Sequence, residues 1–288
     1  METFQKIVFR RPRDFSEVLN ATFAFIRQNF KKLGKAILFI VGPFIVLGGI
    51  CSGLYNAEAA AGPASQNPAN LLAYMLLMFL VSMLGSAVFA GVVNQYIVLY
   101  MDREFHEFDI DEVWQAVKKD LGMALLTALG FSFVVGVGMI FCLLPGIYLM
   151  VPLSLLLIMR IRERQPFGAA FSRCFKLMSG HWWPTFGLLL TAFLINTALS
   201  FVFYLPNYVL TFWNIVHAGE AGALTSNARL LHIVTSMIAF VGGYLFYAIP
   251  VLAVAFQYFN LVERYEAAGL FEKIDQLGAS PAAGKAGL

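Results

Sequence analysis

Six apolar runs containing no Asp, Glu, Lys or Arg constrain this chain more than anything else in it: Ala36 to Tyr55, Leu71 to Met101, Leu121 to Leu143, Gly146 to Met159, Trp182 to Leu205 and Leu230 to Val262. A helix needs about 20 residues, at 1.5 Å rise each, to cross roughly 30 Å of hydrocarbon. Five of the six runs reach that length; the fourth is short and carries Pro152. The Pro145-Gly146 pair before it signals a turn, so the third and fourth runs should form a tight hairpin. The second and sixth exceed the bilayer thickness and should tilt or project beyond it. Composition agrees: 59% of residues are hydrophobic and 13% charged, against about half and a quarter in soluble domains. Scarce charge, three cysteines and a net charge of +3 argue against a disordered chain, a disulfide scaffold or a nucleic-acid binder.

Lys and Arg are distributed very unevenly around these runs. Of the 20, only Arg229 falls on the far side; the other 19 lie before Ala36, around residues 103–119, between Arg160 and Lys176, and after Val262. The positive-inside rule then places both termini in the cytoplasm of a bacterial-type plasma membrane. The first run follows 35 residues, too long a head for a cleaved secretory signal, so it reads as an uncleaved anchor. The expected organisation is a basic cytoplasmic segment over 1–35, a six-helix transmembrane domain over 36–265 and a largely disordered cytoplasmic tail over 266–288.

An internal repeat precedes the odd-numbered spans. Asp14 to Leu19 (DFSEVL) matches Asp109 to Trp114 (DIDEVW) position by position, and Pro166 to Phe171 (PFGAAF) matches more loosely. Asp with Glu three residues later is a capping-box variant, and Pro is a common first helical residue. Apolar residues then recur with helical spacing: Phe15, Val18, Leu19 and Phe23; Ile110, Val113, Trp114 and Val117; Phe167, Ala170, Phe171 and Phe175. Each stripe predicts a short amphipathic helix, lying in the membrane interface or packed under the bundle. The fold class is therefore all-α: six transmembrane helices in three hairpins, each hairpin preceded by an interfacial helix.

The third unit carries a resemblance. Leu144-Pro145-Gly146-Ile147-Tyr148, then Phe167 to Trp183 (FGAAFSRCFKLMSGHWW) and Phe186-Gly187-Leu188 resemble the six-span membrane domain of some bacterial glycerophosphoryl diester phosphodiesterases and related integral membrane proteins. Ala169, Ser172, Phe175, Leu177, Gly180 and Trp182 stand near the motif positions. The similarity spans roughly residues 120 to 265. It implies a fold and a membrane address without an activity, since in those enzymes a separate barrel domain supplies the His, Glu and Asp ligands.

No residue pattern dictates a reaction. His106, His181, His217 and His232 show no metal-ligand spacing with each other or with Cys. Cys51 and Cys142 fall near the outer ends of their spans and could pair, though small buried thiols are the simpler reading. Gly49 with Gly53, and Ala87 with Gly91, have the small-x-x-x-small spacing of helix contacts. Charge, which marks ion-coupled pathways, is missing from the span centres; amides remain. Asn94, Gln95, Asn196 and Gln257 are candidates for a polar cavity, with interhelical hydrogen bonding as the alternative. Acidic residues between Asp102 and Asp120 could attract the basic stretch Arg160 to Lys176. The sequence thus suggests a non-enzymatic membrane scaffold or helper that organises lipid or a protein partner, needing no cofactor or metal; a carrier for a lipid or small amphiphile is the alternative.

Overall fold

The computed structural model describes residues 6–60, 66–103, 108–141, 143–216 and 226–266, with backbone only for 226–228. The described residues form helices and connecting turns, with no strand among them. The helices are α1 (Phe15–Ala59), α2 (Pro68–Asp102), α3 (Ile110–Phe141), α4 (Leu143–Leu153), α5 (Leu156–Glu163), α6 (Phe167–Met178), α7 (Trp182–Val216), α8 (Ser226–Phe246) and α9 (Ala248–Glu266). Six of these units are long and apolar enough to cross a membrane: α1, α2, α3, α4 with α5, α7, and α8 with α9. His106, His217, Cys142 and the tail beyond residue 266 lie outside the described residues.

The start predicted at Asp14 holds at atomic detail. The Asp14 carboxylate accepts from the Glu17 amide at 2.7 Å, and the Asp14 amide donates to Glu17 at 3.0 Å. The Glu17 amide, and with it the Ser16 hydroxyl donating at 2.9 Å, holds the exposed Asp14 carboxyl below the usual carboxylate range. Asn67 caps α2 with Pro68 at its first position, and Pro166 sits one residue before α6, at its cap. The first two units nonetheless differ from expectation, because their helices run unbroken into the spans: α1 for 45 residues and α3 for 32. Gly34 and Gly122, where a break was available, keep helical backbone, and nothing else there forbids it. Only α6 is a separate helix, cut from α7 at Ser179–His181, where Gly180 adopts φ +75°, a conformation that favours glycine.

The fourth span breaks at Ser154–Leu155. Pro152 cannot donate to the carbonyl four residues back, that of Tyr148. The Trp182 indole donates to this carbonyl instead, at 3.2 Å, and its ring stacks on Tyr148. Several residues of the sequence motif thus have one structural job. A Cβ on Gly146 would stand 2.5 Å from Met139, so only glycine permits this hairpin spacing; Tyr148 and Trp182 tie α4 to α7, and Gly180 turns the chain between α6 and α7.

Elsewhere α1 packs most extensively on α8 and α2, and α7 on α8. Cβ atoms on Gly49 and Gly53 would stand 3.0 and 2.5 Å from the Met237 and Ile233 backbones, so small residues set the α1–α8 distance. Ala87 is buried, whereas a Cβ on Gly91 would meet nothing within 4 Å. Helix α9 is the centre of the molecule: Leu252, Ala253, Ala255 and Phe256 have no exposed surface.

Candidate functional site: an uncharged cavity below a polar cap

The end of the bundle that carries the N-terminal segment is closed by aromatic and ionic contacts. Residues 6–13 fold back over it, and Phe9 inserts among Phe25, Tyr100, Phe256 and Phe259, stacking on Phe256 at 4.5 Å. Arg13 donates to the Phe9 carbonyl at 2.8 Å, its backbone amide donates to Asn260 at 2.8 Å, and its guanidinium lies 5.3 Å from the Phe256 ring centre. Burial, with Arg11 nearby, lowers the Arg13 pKa. The expected attraction between the acidic and basic stretches is present as Arg162–Asp102 at 2.8 Å and Arg164–Asp120 at 2.5 Å. Arg173 joins Glu163 at 2.6 Å and also pairs with Glu266. Its guanidinium pKa, lowered by burial, ends up raised by these two carboxylates.

Stripe residues of the repeat take different roles here. Val18 and Val113 are buried, Leu19, Ile110 and Trp114 are partly buried against the core, and Phe15 is 44% exposed. The buried face of α1 continues from Val18 through Thr22, Phe25 and Asn29, which leaves Phe15 and Phe23 on its flank. On α6 the fully buried side chains are Ala170, Cys174, Leu177 and Met178. Phe167, Phe171 and Phe175 form a half-buried row with ring contacts of 6.3 and 5.1 Å. Burial pushes the Cys174 thiol up to about 12.

The four amides divide into two pairs. Gln95 donates to Asp120, and Gln257 donates to Thr185 at 2.8 Å while accepting from Asn260 at 3.1 Å. Both therefore belong to the cap. Asn94 is 4% exposed, yet its carbonyl oxygen has no hydrogen-bond partner, and neither has that of Asn196. A buried amide oxygen without a partner is costly, and both residues line cavities.

Asn94 lines a narrow chamber of about 290 Å³ with Ser86, Thr127, Ser132, Ser154 and Tyr247. Asn196 lines a wider chamber of about 910 Å³ with Ser200, Tyr204, Tyr208 and Tyr244. Met83, Ser86, Ser132 and Tyr247 line both, so the chambers adjoin. Rim residues Phe79, Phe193, Phe201 and Tyr208 are each more than half exposed, and in a membrane that surface faces acyl chains. Neither lining includes Asp, Glu, Lys, Arg or His. Arg160, the cation bonded to Thr127, does not line the cavity, and its guanidinium also donates to the Met123 and Gln165 carbonyls at 3.3 and 3.4 Å.

Sequence reasoning missed Phe9, hidden in a basic segment, and the tyrosines of the wide chamber. The signal for the latter was present: phenols at mid-span positions carry a polar tip that seeks a polar neighbour. At the opposite end, Ser236 accepts from Asn56 at 3.0 Å and Asn207 at 2.9 Å. Ser236 there fits the interhelical hydrogen-bonding alternative. No group of three or more His, Cys, Asp or Glu that could hold a metal occurs among the described residues. Cys51 is buried. Compared with known proteins, the chain matches no protein-family model, no curated protein and no solved structure.

Proposed function

We propose that this chain is a non-enzymatic, multi-pass plasma-membrane protein that takes a lipid or small amphiphile into the cavity between α2, α3, α7, α8 and α9, acting as its carrier. Both termini lie in the cytoplasm in this reading, in line with the lysine and arginine distribution. The observation that carries it is the unpartnered Asn94 oxygen, 4% exposed, in an uncharged chamber. An amide in such a place is stabilised by a ligand that hydrogen-bonds to it. Hydroxyls, amides and aromatic rings form the lining, which suits binding better than acid–base chemistry. The resemblance to the phosphodiesterase-associated membrane domain belongs to the same proposal and rests on the motif residues.

The scaffold reading, in which α6 and the N-terminal parts of α1 and α3 organise lipid or a partner, has less support. The Phe167 ring fills the space beside Gly130 on α3 and lies 5.7 Å from Arg160, so the first residue of the α6 row is engaged with the bundle itself. Native mass spectrometry of the protein, extracted gently from its own membrane, separates the two readings. A carrier retains a stoichiometric small molecule or single lipid species and loses it in Asn94→Leu. A mixed lipid annulus, unchanged by Asn94→Leu, counts against the carrier.

A further inference from the structure

The cavity's hydrogen-bonding inventory says more about its occupant than its size does. At the narrow end Ser86 donates its proton to the Met83 carbonyl at 3.0 Å, Thr127 to Met123 at 2.6 Å and Ser154 to Val151 at 2.7 Å. Serine and threonine keep acceptor lone pairs after donating. In the wide chamber Ser200 likewise donates to the Gly242 carbonyl at 3.2 Å. The two orphaned atoms, Asn94 Oδ1 and Asn196 Oδ1, are both acceptors. At the narrow end three of the five hydroxyl protons are committed to backbone carbonyls, Thr127 also accepts from Arg160, and Asn94 Oδ1 is the buried acceptor left without a donor. An occupant satisfies it by bringing an O–H donor.

Charge supplies the second restriction. With no lysine, arginine or histidine in either lining, and Arg160 held behind Thr127, a phosphate or carboxylate carried to Asn94 would lose its hydration without contacting a counter-charge. The rim supplies the third. The wide chamber opens among exposed aromatic side chains of α2 and α7, where acyl chains can remain in contact with the bilayer while the head reaches Asn94.

Resting on the carrier reading of the same cavity, we propose that its ligand is a neutral, hydroxyl-bearing lipid of the diacylglycerol class, with the free hydroxyl donating to Asn94 Oδ1. Phospholipids and lipids whose hydroxyl is blocked are excluded, the former by charge and the latter by the missing donor.

The test uses the full chain in phosphatidylcholine nanodiscs doped with one of three probes: 1,2-dioleoylglycerol, its 3-O-acetyl derivative, or dioleoyl phosphatidate. Retention is read by native mass spectrometry. Dioleoylglycerol should bind saturably at one per chain, and each of the other two about ten-fold or more weaker, since a site left with an unmet buried polar group rejects the analogue lacking its partner. Asn94→Leu should reduce the preference for dioleoylglycerol over the acetyl derivative to about two-fold or less. Saturable binding in which phosphatidate or the acetyl derivative equals dioleoylglycerol would overturn the ligand class and leave the carrier reading standing. No saturable binding of any probe would overturn both. The comparison among probes needs only the unmodified protein, so it decides the question even if the Asn94 variant does not fold.

Discussion

Replacing Phe9 by alanine should release the N-terminal segment from the end of the bundle. The ring is 2% exposed, stacked on Phe256 at an interplanar angle of 4°, and met edge-on by Phe25, Tyr100 and Phe259 at 5.5, 6.0 and 5.4 Å. Burying a phenylalanine is worth about 1.5–3 kcal/mol by area, and the hole left among four rings raises the truncation cost to about 3–5 kcal/mol. The exposed Lys6 contacts to the Met101 and Arg103 carbonyls, at 3.1 and 2.7 Å, contribute little by comparison. At 1.4 kcal/mol per decade, the open population of the segment should rise about 100-fold or more. Two amides report on it directly: Ile7 N–H donates to the Tyr100 hydroxyl at 2.9 Å and Arg13 N–H to Asn260 at 2.8 Å. Hydrogen exchange in micelles should show both exchanging about 100-fold faster in Phe9→Ala, with α2 and α9 still protected. If both amides exchange within about three-fold of the parent protein, then the aromatic wedge does not hold the segment and the burial argument fails.

Three further outcomes follow from local geometry. A thiol at about 12 is thiolate in only about one part in ten thousand at pH 8, so in a variant lacking Cys51 and Cys142 the Cys174 thiol should resist maleimide about a thousand-fold relative to an ordinary thiol. It should label fully on denaturation, or as the pH is raised toward 12; rapid labelling of the folded protein at pH 8 would contradict its burial. Trp182→Phe leaves the Tyr148 carbonyl without its donor and should cost about 1–3 kcal/mol in a thermal-stability assay. Pro152→Ala supplies a backbone N–H for that carbonyl, so the double variant should recover part of the loss; strictly additive losses would refute the pairing. Gly242→Ala would set a Cβ 2.2 Å from Phe203 Cβ, whereas Gly136→Ala meets nothing within 4 Å. The first should impair assembly of α7 on α8 by size-exclusion chromatography, and the second should be neutral or stabilising by up to about 1 kcal/mol.

Much of this architecture was legible because lipid leaves a chain few choices. Runs without charge mark spans, and the break in the fourth span and the turn before the fifth are written in Pro152 and Gly180. What sequence could not supply is the partner of each polar side chain. Asn94 and Gln95 are adjacent, but successive residues on a helix point about 100° apart, so one lines the cavity while the other meets Asp120. That assignment depends on how α3 is placed beside α2, which no local pattern encodes. The unbroken α1 was illegible for a related reason. A capping box and an apolar stripe announce where a helix starts, and between Leu19 and Ala36 only Gly34 offers a stop, which the helix does not take. Phe9 lay in a segment defined by its arginines, and only the fold shows four aromatic rings converging around it.

A carrier of this kind requires that lipid enter the cavity between α2, α3, α7, α8 and α9. A diacylglycerol with a photoactivatable diazirine near the head end of one acyl chain, crosslinked in nanodiscs and mapped by peptide mass spectrometry, reads this directly. Adducts should concentrate on Ser132, Phe193, Asn196 and Tyr204 and disappear when unlabelled dioleoylglycerol is added. Adducts spread over outward-facing residues such as Phe212 and Trp213, which are 69% and 61% exposed, and insensitive to competitor, would contradict it.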